Sequence, residues 1–142
     1  MIRLSELVGQ RAVALGTAAN NGTVKAVVIQ GDRIVGVELS DIVIPAGSVR
    51  SFEGDVLTYD EQRGTYLGGG NAIDPRGTTV LDMSGDSHGR ISDLLIDAAG
   101  TIEAVVLDTG DSVPGQRLRA IGTFAAVLGD EQLPPPTGPP VA

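Results

Sequence analysis

Gly22-Thr23-Val24-Lys25-Ala26-Val27-Val28-Ile29 returns later in the chain as Gly89-Arg90-Ile91-Ser92-Asp93-Leu94-Leu95-Ile96. Each stretch is a glycine followed by a short β-branched run, the length and composition of a single strand. A short polar turn follows each, Gln30 to Arg33 in one and Asp97 to Thr101 in the other. Beyond the turns, Ile34-Val35-Gly36-Val37-Glu38-Leu39 aligns with Ile102-Glu103-Ala104-Val105-Val106-Leu107. A third pairing sets Gly47 to Asp55 against Gly122 to Asp130, which places the extra residues of the second copy in the polar loop Asp108 to Gly115. Strands that stay matched while insertions fall in loops are the signature of a duplicated unit.

Working outward, the remaining segments are also short, aliphatic and punctuated by glycine, so the fold class is all-β. Only Leu4 to Gly9 reads as helix, a single turn with Ser5 as N-cap and Gly9 as stop. Val56 to Tyr59 and Thr65 to Leu67 are expected to form a hairpin turning at residues 62–64, followed by the flexible Gly68-Gly69-Gly70. The division is then residues 1–71 as a first unit, 72–131 as a second, and 132–142 as a proline-rich tail. That tail holds five of the eight prolines and is expected to be disordered or polyproline-II.

Composition narrows the chemistry. The 142 residues include no cysteine and one histidine, which removes disulfides, thiolate zinc sites and cysteine nucleophiles. A net charge of -8 and 3% aromatic residues argue against direct nucleic-acid binding, which needs clustered cations and stacking platforms. No apolar run is long enough for a membrane helix, so membrane insertion is not expected and a cytoplasmic location is.

Three motifs invite chemistry and give way to plainer readings. Gly85-Asp86-Ser87-His88-Gly89 matches G-x-S-x-G, but a strand follows where a nucleophile elbow needs a helix, and the lone histidine is the serine's neighbour. Asp82, Ser84, Asp86 and Asp93 fall at calcium-loop positions, yet Ser87 replaces the required glycine and Asp93 the bidentate glutamate. Gly68 to Gly70 has no Lys-Ser/Thr after it and no helix start, as a phosphate cradle would require. No catalytic residue, cofactor site or metal site is therefore assigned, and the chain is read as a non-enzyme.

Four residues are candidates for contact with a partner. Asp93 and Asp97 lie four apart in one strand and are expected to form a solvated acidic strip on a single face. Residues 72–142, with ten acidic side chains against four basic, suit a basic protein surface. Pro136 and Pro139 complete a P-x-x-P motif in a stiff segment that a partner's groove could recognise. Phe52 and Phe124 are expected to pack a barrel core, and Arg117 and Arg119 to alternate on one strand as ion-pair partners.

The repeat resembles the PRC-barrel family. The residues that carry the resemblance are Leu4 to Gly9 as an entry, Gly89 to Asp97 as the Gly-x-Ile-x-Asp strand, and Gly100 to Leu107 as the Gly-x-Ile-x-Ala strand, with Ile44-Pro45 on a return strand. The first copy has Ala26 and Gln30 where the second has Asp93 and Asp97, and the second lacks the Leu-x-Gly entry. The resemblance implies two tandem small β-barrels joined by a hairpin and linker. Known family members include the cytoplasmic part of the photosynthetic reaction centre H subunit, the C-terminal part of a ribosome maturation factor, and small cell-division adaptors. It implies a protein–protein interaction module, an adaptor or accessory subunit whose protein partner belongs to a membrane-associated or ribosomal complex, with ribosome maturation or RNA metabolism through a ribosomal protein as the alternative function. Units of ~55–65 residues have marginal cores, so they are expected to lean on each other or on a second copy of the chain as a homodimer.

Overall fold

The computed structural model describes residues 1–40, 42–61 and 64–129. The first half contributes β1 (Ile2–Arg3), α1 (Leu4–Leu7), β2 (Arg11–Ala14), β3 (Asn20–Thr23), β4 (Ala26–Gln30), β5 (Arg33–Glu38), β6 (Val43–Pro45), β7 (Val49–Ser51) and β8 (Leu57–Tyr59). The second contributes β9 (Thr79–Leu81), β10 (Ser87–Ile96), β11 (Ile102–Leu107), β12 (Ser112–Pro114), β13 (Leu118–Ile121) and β14 (Ala125–Leu128). The expectation of a β-rich chain holds.

The two halves pair their strands in the same way. Antiparallel β4-β5-β6 matches β10-β11-β12, and the cross-strand row Val28–Gly36–Pro45 matches Leu95–Ala104–Pro114. The parallel pair β2–β8 matches β9–β14, with β7 and β13 antiparallel to β8 and β14 respectively. The single strand β10 does the work of β3 and β4 together. Entry to each half is fixed identically: the Gly9 N–H donates to the Val24 carbonyl at 2.8 Å, and the Gly77 N–H to the Ile91 carbonyl at 2.7 Å. Both glycines have φ near +90° (95° and 90°), where a side chain would be strained.

Three sequence expectations need correction here. The third pairing does not follow Gly47 with Gly122. The 3-10 turns Ala46–Ser48 and Gly115–Arg117 occupy the same place, each after a proline, Pro45 or Pro114. Asp60 N–H donates to the Ser48 carbonyl (2.8 Å) just as Gly129 N–H donates to the Arg117 carbonyl (2.7 Å). Phe52 therefore corresponds to Ile121. Thr65 to Leu67 is not a strand either; β8 inserts between β2 and β7 instead, and the segment after it crosses β4-β5-β6. There the Tyr66 N–H bonds the Val43 carbonyl at 2.7 Å and its ring lies over Gly36 and Val28.

The third correction concerns separate barrels. Among the described residues the strands form sheets of seven, four and three, with no closed barrel. The halves exchange their entry segments: β1 pairs with β10 (Ile2 with Ile96, Arg3 with Leu95), and Ile73 bridges to Val27 through two backbone bonds of 2.9 and 2.8 Å. The hairpin tips meet reciprocally, Ile34 N–H to the Gly100 carbonyl (2.8 Å) and Ile102 N–H to the Asp32 carbonyl (2.7 Å). One hydrophobic cluster runs through both halves, including Leu4, Phe52 and Tyr59 from the first and Leu94, Ile96 and Val105 from the second. Short units with thin cores thus bury apolar surface against each other.

Candidate interaction surface

Asp93 is 6% exposed, so the acidic strip is not built. Irregular pairing between Ile91 and Asp93, and again between Leu95 and Ile96, interrupts the alternation on which that expectation rested. Asp93 turns toward α1, where its Oδ1 accepts the Ser5 N–H (3.0 Å) and the Leu94 N–H (2.9 Å), and its Oδ2 accepts the Ser5 hydroxyl (2.5 Å). Ser5 is thus not the N-cap; Arg3 holds that position, with its N–H donating to Glu6 Oε1 at 3.0 Å. Asp97 is half-buried, and its Oδ1 accepts the Ala99 and Thr101 N–H groups, both at 2.9 Å, closing the β10–β11 turn. Both carboxylates serve the architecture. Pro136 and Pro139 lie outside the described residues.

The other motifs are similarly absorbed. Asp82 Oδ1 accepts the N–H groups of Ser84 (2.8 Å) and Asp86 (3.0 Å), while Oδ2 meets His88 Nε2 at 2.9 Å. The bond to His88, helped by the Asp86 N–H, holds the Asp82 carboxyl below its ordinary value. His88 is directed to Asp82, and Ser87 Oγ accepts the Gly89 N–H at 3.3 Å, so serine and imidazole do not form a nucleophile–base pair. Asp74 is lowered in the same way by its hydrogen bond to Arg76, whose Nη2 lies 2.6 Å from Oδ2. No group of three or more metal-ligating side chains converges among the described residues.

Arg117 sits in the 3-10 turn before β13 instead of on it, and its Nη2 donates to the Gly129 carbonyl at 3.1 Å. Phe52 is 1% exposed and stacks over Gly100 of the other half, but Phe124 is 88% exposed in the short connection between β13 and β14. Phe124 and Leu67, the latter 92% exposed, are the features that sequence reasoning missed. Correct alignment of the third block would have shown Phe124 falling in a turn without a strand register.

Concavities are modest. A cavity of about 240 Å³ beside the hairpin tips is lined by Asp32, Thr101, Glu103 and Gln116, and one of about 260 Å³ by Arg33, Val35, Ala46 and Ala99. The repeat relates the two, yet one is acidic and the other basic and apolar. A third, of about 440 Å³, is lined by Asn20, Asn21, Gly22, Ser40 and Ile42.

A family model for the PRC-barrel domain matches residues 71–123, the segment from the second entry through β13. That segment of the second half is therefore similar to the PRC-barrel domain. No curated protein matches the chain.

Proposed function

We propose that this protein is a non-enzymatic protein–protein interaction module, an adaptor or accessory subunit of a larger cytoplasmic complex. The observation that carries this reading is the pairing of a PRC-barrel domain match with an exposed Phe124 at a strand connection. An aromatic held in water by a short turn offers an anchor of the type that dominates binding energy at interfaces. The polar groups that drew attention in the sequence are already engaged: Asp93 with Ser5, Asp97 with its turn, Asp82 with His88. The matching strand pairing among the described residues of the two halves supports treating the first half as a second, diverged PRC unit.

The test is affinity capture with wild-type and Phe124→Ser chains. The reading expects a partner recovered in fixed stoichiometry by the wild type and lost by the variant. No stable partner, together with a lone monomer in light scattering, overturns it. Contact with a ribosomal protein is the second reading, favoured by the acidic charge of -8 against basic surfaces. Absence from small-subunit precursor fractions overturns that alternative. A homodimer is a further outcome that light scattering resolves.

A further inference from the structure

Strand β3 carries an Asn-Gly pair, Asn21-Gly22, at its least regular point. It lies at the edge of its sheet, next to β2. Thr23 stands opposite Arg11 and Asn20 opposite Val13, so Asn21 and Gly22 together face the single residue Ala12. That is a β-bulge, where the ladder is locally broken and one residue stays out of the pairing. Gly22 has φ +96°, in the left-handed region, and a Cβ on it would collide with the Ser40 hydroxyl. Its N–H donates to the Asn20 side-chain oxygen at 3.2 Å, a long and exposed bond.

The surroundings supply room and water. The Asn21 side chain is exposed, and its Nδ2 donates to the hydroxyl of the buried Tyr59. Asn20, Asn21, Gly22, Ser40 and Ile42 line the concavity of about 440 Å³, so solvent reaches the Asn21-Gly22 bond.

We propose that Asn21-Gly22 is a self-modification site, where the Gly22 backbone nitrogen displaces the Asn21 side-chain amide. The nitrogen gives its proton to hydroxide and attacks Asn21 Cγ, forming a new C–N bond. The Cγ–Nδ2 bond breaks, and Nδ2 leaves as ammonia after taking a proton from water. The five-membered imide that remains then consumes one water. Opening at Cγ gives aspartate; opening at the Asn21 backbone carbonyl gives isoaspartate, with the chain running through the side-chain carbon. In sum, one amide and one water become one carboxylate and one ammonium ion.

The bulge favours this ring closure. Glycine has no Cβ to shield the attacking nitrogen, and both reacting groups are already held in one chain. Freeing the Gly22 N–H requires only the release of its bond to an exposed side chain. The isoaspartate product lengthens β3 by one backbone carbon. Either product adds a negative charge beside Tyr59, whose hydroxyl then donates where it had accepted.

The test incubates the full chain in heavy-oxygen water at neutral and mildly alkaline pH, followed by peptide mapping by mass spectrometry. Asn20 and Asn71 are exposed controls in the same molecule, followed by Asn21 and Ala72, whose Cβ atoms shield their nitrogens. Conversion at Asn21 is expected to outrun both by about tenfold or more, a barrier difference of ~1.4 kcal/mol. One heavy oxygen enters per event, aspartate and isoaspartate both form, and the rate rises with pH. Gly22→Ala would meet Ser40, so the blocking variant is Asn21→Gln, which keeps the amide and is expected to stay unmodified at this position. Equal rates at the three asparagines overturn the proposal. So does aspartate without isoaspartate, which means direct hydrolysis by water. A folded chain that is inert until urea unfolds it also overturns it, because the bulge then has no part in the reaction.

Discussion

Substituting Phe52 and Gly100 singly and together probes the seam between the halves. Phe52 is fully buried, and its N–H donates to the Ala98 carbonyl of the opposite hairpin at 3.1 Å. Phe52→Ala removes a ring from a packed core and should cost about 3–5 kcal/mol. Gly100 has φ +93°, and a Cβ there would lie 2.9 Å from Phe52 Cε2. Gly100→Ala therefore meets two penalties: about 1–2 kcal/mol for a left-handed backbone carrying a side chain, and about 1–3 kcal/mol for crowding the ring. In the Phe52→Ala background the second penalty disappears while the first remains. The double variant should thus be more stable than the sum of the singles implies, by about 1–3 kcal/mol, measured as a coupling energy from urea unfolding. Strict additivity would show that the ring and the glycine do not meet, and the reasoning about the seam would be wrong.

Further outcomes follow from the same contacts. Asp93→Ala, which reproduces the residue at Ala26, should lower stability by about 1–3 kcal/mol, because the carboxylate's bonds to Ser5 outweigh the relief of unburying it. Adding Ser5→Ala to that variant should change the unfolding midpoint little, and an equal second loss would contradict the assignment. The Asp82 and Asp74 carboxyls are lowered from 3.8 in the folded chain, so the stability they contribute is present above that value and lost as pH falls through the folded pKa. Asp82→Asn should flatten the fall in urea midpoint between pH 5 and pH 3; an unchanged slope would remove the His88 contact from the account. Gly115→Ala should abolish folding, since a Cβ there would stand 1.7 Å from the Ile102 carbonyl oxygen, and a folded variant by circular dichroism would refute that packing.

The repeat was legible where backbone geometry demands particular residues. Gly22 and Gly89 both have φ near +100° (96° and 103°), and the runs after them share buried positions, Val24 with Ile91 and Val27 with Leu94. The third block was illegible because a 3-10 turn after Pro45 or Pro114 asks only for backbone bonds, so Ala46-Gly47-Ser48 and Gly115-Gln116-Arg117 diverged freely. Gly-Asp at residues 54–55 and 129–130 then offered a false match. Exchange of β1 and Ile73 between halves leaves no local pattern, since strand partners distant in sequence are chosen by the assembled core. Asp93 was misplaced for a related reason: pairing irregularities reset which face a side chain takes, and nothing in Ile91 to Ile96 marks them.

The central structural claim is that two repeats of one strand pattern share a single core through exchanged entry segments. Differential scanning calorimetry of the whole chain tests it most directly. A shared core predicts one transition whose calorimetric and van't Hoff enthalpies agree. Two resolved transitions, or a calorimetric enthalpy about twice the van't Hoff value, would mean that the halves unfold independently and would contradict it.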